Sequence, residues 1–176
     1  MESEATGVVA LVRHARPEVD PSVPSTDWRL SAEGRAAAAG LGERLRPLRL
    51  DRLVASEEAK AAETASIAAG ALGVPWDTAP GLHEHSRRSA GYLGADDFDA
   101  AMRGLFAGRP FGDETGDDAC DRFEAALAGV TAAWPGERVA VVAHGTVMAL
   151  YLARHLGVDG YETWRSLPLV GVAELS

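Results

Sequence analysis

Val8-Val9-Ala10-Leu11-Val12 runs straight into Arg13-His14, and Arg138-Val139-Ala140-Val141-Val142-Ala143 runs straight into His144-Gly145. Each is a short, unbroken apolar run followed at once by polar residues. An unbroken run of that length reads as a strand buried on both faces, the habit of a parallel sheet. Polar residues directly after such strands stand at their carboxyl ends, where open α/β sheets hold ligands.

Working outward from these two runs, Pro17 to Trp28 is rich in Pro, Ser and Asp and reads as a loop. Ser31 opens a helix with Leu41 and Leu45 on one stripe, and Pro47 ends it. Leu53-Val54-Ala55 is a further short strand ending at Ser56, and a helix follows from Glu57 to Ala71, stopped by Gly73. Val74-Pro75-Trp76 reads as briefly extended. Pro80 to Gly94 is a polar loop carrying His83, Glu84, His85, Arg87 and Arg88. Asp96–Phe106, Thr115–Trp134 and Val147–Leu156 read as helices, and Val170–Ala173 as a last edge strand. Strands alternating with helices make the chain α/β with a largely parallel sheet.

The chain has 176 residues, of which 47% are apolar, so the expectation is one domain spanning 1–176 with a sizeable core. A net charge of −9 argues against a nucleic-acid partner, which needs a broad basic face. Cys120 is the sole cysteine, which excludes an intrachain disulfide and a cysteine-based zinc cluster. The acidic start Met1-Glu2-Ser3-Glu4 has no signal-peptide pattern, and the apolar stretch Val139–Leu152 is too short to span a bilayer. These features point to a cytoplasmic protein without a membrane partner.

If the two strands ending in His14 and His144 are parallel neighbours, both imidazoles meet at one sheet edge. A neutral imidazole there can attack phosphorus, and a second can stabilise charge on the transferring group. Arg13 offers a planar donor fork suited to phosphate oxygens. His83-Glu84-His85 invites a metal reading, since alternate residues of an extended segment share a face, but no HExxH or further metal motif accompanies it.

Leu11-Val12-Arg13-His14 resembles the "RH" signature of the histidine phosphatase superfamily, also called phosphoglycerate mutase-like. Further markers follow in that family's order. Leu30-Ser31-Ala32-Glu33-Gly34 with Ala37 and Leu41-Gly42 resembles "L-T/S-x-x-G-x-x-x-A-x-x-L-G". The stretch from Ser56 through Lys60 to Ala65 resembles "S-x-x-x-R-A-x-Q-T-A". Leu82-His83-Glu84 resembles "L-x-E", Gly112-Asp113-Glu114-Thr115 with Arg122 resembles "G-E-S…R", and Val142-Ala143-His144-Gly145 resembles "V-S-H-G".

The resemblance implies a three-layer α/β/α sandwich around a mostly parallel sheet. It implies a phosphomonoester hydrolase of the histidine acid type, acting without metal or other cofactor on a small phosphorylated substrate or a phosphoprotein. His14 would be the nucleophile. Arg13, Lys60 and His144 would bind the phosphoryl oxygens, and Glu84 would be general acid, then general base. Lys60 stands where the family has a second arginine, which keeps the charge and loses the bidentate fork. Ala15 replaces a common glycine, and Pro17 sits where a hydroxyl residue often contacts phosphate. Arg16, Arg87 and Arg88 are candidates for replacement charge at the substrate. The alternatives are a mutase-type phosphotransferase, for which the chain is short, and a weakly active domain that binds a phosphorylated ligand, which Lys60 and Pro17 motivate.

Overall fold

The computed structural model describes residues 6–175. Five strands form one sheet: β1 (Gly7–Arg13), β2 (Arg52–Ser56), β3 (Trp76–Ala79), β4 (Arg138–Ala143) and β5 (Val172–Glu174). Their spatial order is β3-β2-β4-β1-β5. The first four are parallel, and β5 adds antiparallel to β1. Six α-helices surround the sheet: α1 (Ala32–Leu45), α2 (Ala59–Leu72), α3 (Ala95–Phe106), α4 (Gly116–Ala133), α5 (Gly145–Leu156) and α6 (Gly160–Ser166).

β4 lies at the centre, and its alternation builds both sides of the molecule. Ala140 and Val142 face a core with Leu41 and Leu45 of α1 and Ala61, Ala65, Ala68 and Ala69 of α2. Val139, Val141 and Ala143 face a second core with Phe123, Leu127 and Val130 of α4 and Val147 and Met148 of α5. The architecture is therefore the expected α/β/α sandwich. Small residues let α1 and α2 come close: a Cβ at Gly42 would lie 2.6 Å from that of Ala71.

The departures from the sequence reading have local causes. α2 begins at Ala59, not Glu57, because Glu58 remains extended as the helix N-cap. β3 covers Trp76–Ala79 rather than residues 74–76; its polar, exposed Asp77 and Thr78 suit an edge strand. α5 starts immediately after His144, two residues before Val147. α6 has no counterpart in the sequence reading. Only Tyr161 is buried along it, too little apolar period to notice, but Asp159 caps it and Tyr161 joins Met102 and Leu105 of α3. Among the described residues, no helix is long and apolar enough to cross a membrane.

Candidate active site

The register of β1 on β4 decides the geometry of the site. Arg13 pairs with Ala143, so the next residues, His14 and His144, leave the sheet side by side. The His14 amide continues the ladder by donating to Ala143 O at 3.0 Å. The two rings sit with centroids 5.2 Å apart, and both are buried.

His14 is oriented through Nδ1, which donates to its neighbour's carbonyl, Ala15 O, at 2.7 Å. That tautomer leaves the Nε2 lone pair free. The segment beyond is tied from two helices. Ala15 N donates to Thr64 Oγ1 of α2 at 3.0 Å, and Ser31 N donates to Arg16 O at 3.0 Å. Gly34 lies against this segment so closely that a Cβ there would fall 2.1 Å from Arg16 O.

His144 is fully buried, with Nε2 2.8 Å from Ser56 Oγ at the end of β2. Burial pushes both imidazoles down to about 3, helped at His14 by His144 and at both rings by Lys60. Both are neutral at pH 7, the state in which an imidazole can act as a nucleophile. Arg13 holds Leu167 O through Nη1 at 2.5 Å, and its guanidinium lies against the Gly145 backbone. Arg13 Nε and His144 Nδ1 are buried without a hydrogen-bond partner. Unsatisfied buried nitrogens are rare in folded proteins and call for an explanation; an oxyanion between them would supply one.

Glu84 is held at the N-terminus of α5. Its carboxylate accepts from Thr146 N at 3.1 Å, Val147 N at 3.2 Å and His85 N at 2.8 Å. Burial raises its proton affinity, but Arg87, His144 and these backbone N–H groups outweigh that and hold the carboxyl well below the usual carboxylate range. Arg122 of α4 shapes the loop that carries Glu84. It donates to Gly81 O (2.7 Å), His83 O (2.9 Å) and Glu84 O (3.4 Å), and pairs with Glu114 at 2.6 Å. Glu114 in turn accepts Ser86 N at 2.8 Å.

The candidate cations part company. Arg87 joins the site, with Nη2 3.7 Å from Glu84, Nη1 3.3 Å from Thr146 Oγ1 and its guanidinium over the Phe98 ring. Arg16 turns outward to Glu33, and Arg88 is exposed beside Asp113. Each is drawn away by an acid on its own side of the surface, Arg16 by Glu33 and Arg88 by Asp113. Lys60 is buried as expected of a site residue, yet it is not a free cation: Nζ donates to Glu58 Oε2 at 2.5 Å and to Ser25 O at 2.7 Å. Among the described residues, no group of three His, Cys, Asp or Glu is arranged to hold a metal. His85 Nε2 instead meets Glu114 O at 2.8 Å.

Glu58 and Ser56 lie within the motif that contains Lys60 but are not among the site residues expected from the sequence. The available signal was Glu58 itself, an acid two residues before Lys60 at the turn where a buried strand becomes a helix.

The family model for the histidine phosphatase superfamily (branch 1) matches residues 9–176. The chain belongs to that superfamily. No curated protein sequence matches it significantly. Solved structures with the superfamily fold include a mycobacterial glucosyl-3-phosphoglycerate phosphatase in complex with VO3, at TM-score 0.75 and 24% identity, covering 96% of this chain and 90% of that one. Bacillus stearothermophilus YhfR superposes at TM-score 0.70 and 24% identity, covering 95% and 91%. A phosphoserine phosphatase mutant from Entamoeba histolytica, in complex with phosphoserine, does so at 0.73 and 17%, covering 93% and 87%.

Proposed function

We propose that this superfamily member hydrolyses phosphomonoesters through a phosphoryl group carried transiently on His14 Nε2. The observation that carries the proposal is the pair of buried, neutral imidazoles at adjacent parallel strand ends, beside the unpartnered Arg13 Nε and His144 Nδ1. In this reading His14 Nε2 attacks phosphorus, the ester P–O bond breaks, and the leaving oxygen takes a proton from Glu84. Water then attacks the phosphohistidine, giving its proton to Glu84, and the N–P bond breaks to release phosphate. Arg13, His144 and Lys60 hold the phosphoryl oxygens, and Arg87, beside Glu84, faces the leaving group.

Glu84 is ionised in the ligand-free protein. The proton that Glu84 gives the leaving oxygen is therefore one it takes up from a bound monoanionic ester, whose last proton dissociates with a pKa of about 6. That supports an acid-type enzyme, fastest below neutrality. The substrate class is a small phosphorylated molecule or a phosphoprotein. The solved neighbours named for glucosyl-3-phosphoglycerate and phosphoserine favour the small molecule.

The test is turnover of an artificial aryl phosphate from pH 5 to 8, with and without EDTA, by the parent and by His14→Ala. Chelator-insensitive turnover that rises toward pH 5 and is lost by several orders of magnitude in His14→Ala is the expected result. Activity within about tenfold of the parent would refute covalent catalysis, since acid–base help alone is worth about 10²–10⁴-fold.

A further inference from the structure

Glu58 is a buried carboxylate that the reaction scheme leaves unused. It caps α2 at the turn from β2, and only 8% of it is exposed. Each of its oxygens has an assigned donor. Oε2 receives Lys60 Nζ at 2.5 Å, and Oε1 receives the Glu84 amide at 2.9 Å. Oε1 also stands 3.7 Å from His144 Nε2. One carboxylate thus touches the cation, the strand-end imidazole and the backbone of the acid-bearing loop.

The pairing also explains lysine at position 60. An ammonium has three donor protons. Two go to Glu58 and Ser25 O, and one remains for an oxyanion. Lys60 and His144 flank the two oxygens of this one carboxylate, which places the ammonium at the same centre. An oxyanion arriving there meets a cation whose charge is already opposed by a carboxylate directly behind it. Most of that opposition is unscreened, because both side chains are less than a tenth exposed.

We infer that Glu58 is a positioning residue of the phosphoryl site: as the buried counter-ion of Lys60 it aims the ammonium and limits how tightly the site holds phosphate, so that product leaves. The inference rests on the phosphoryl-site reading above and adds to it a residue that sets affinity rather than chemistry.

The experiment is calorimetric titration of the parent and of Glu58→Gln with inorganic phosphate at pH 7, followed by kcat and KM for an aryl phosphate. Removing the opposing charge is expected to tighten phosphate binding by about tenfold or more, since a unit charge a few ångströms away acts strongly in a buried site. KM and kcat should fall together as product release slows. A purely structural role would weaken binding or leave it unchanged, and either result in a folded variant overturns the inference. If Glu58→Gln does not fold, Glu58→Met, which fills the space without charge, must show the same tightening. The titration needs no turnover. A parent that binds phosphate but does not hydrolyse esters would sink the phosphatase reading while this comparison still decided the role of Glu58.

Discussion

The neutrality of the two buried imidazoles can be measured as acid sensitivity of the fold. His14 and His144 sit at about 3 in the folded protein against 6.5 for a free histidine, chiefly through burial. Below 6.5 the unfolded chain therefore binds more protons than the folded one, and stability is lost as pH falls from 6.5 toward 3. Above 6.5 these residues contribute no slope. At pH 5 each costs about 2 kcal/mol relative to pH 7, and the pair about 4 kcal/mol, from roughly 1.4 kcal/mol per pH unit per group. That is a large part of the 5–15 kcal/mol typical of a domain. Glu84 works in a lower window: its stabilisation is present above the unfolded value of 4.5 and is lost as pH falls below that, so it barely enters between pH 7 and 5. His83 and His85 are lowered in the same direction and cancel when a variant is compared with the parent. His14→Asn keeps a donor toward Ala15 O and removes one titrating group. Urea unfolding followed by circular dichroism at pH 7 and pH 5 should show the variant losing about 2 kcal/mol less than the parent. An equal loss in both would mean that His14 titrates normally in the folded protein, and the argument for a ready nucleophile would fail.

Arg122→Met should release the loop that carries Glu84, because five hydrogen bonds to residues 81, 83, 84 and 114 are lost. A cost of about 2–3 kcal/mol is expected, visible as a fall of about 5–10 °C in Tm together with reduced turnover; an unchanged Tm would show that the loop holds itself. Gly34→Ala puts a methyl group 2.1 Å from Arg16 O, so the segment after His14 must shift. A loss of about 1–3 kcal/mol and of at least about tenfold in turnover should follow, and parental kinetics would show that the nucleophile does not depend on this contact.

Much of the molecule is readable from local pattern. The apolar runs of β1 and β4, the Ser31 cap of α1 and the period of α4 are properties of neighbouring residues, so each element announces itself. The two strand-then-histidine steps likewise point to one sheet edge. The sequence could not say that Arg13 stands opposite Ala143, the register that brings the rings 5.2 Å apart. Nor could it sort the cations. Arg16, Lys60, Arg87 and Arg88 look alike along the chain, yet one turns to Glu33, one is buried against Glu58 and Ser25, one rests on Phe98 beside Glu84, and one stays in solvent. Residue type determined which groups could meet a phosphate at the strand ends. Which of them do, and which carry a carboxylate at their back, depends on contacts between segments from Ser25 to Thr146, because burial and the direction of a long side chain are set by what packs around it.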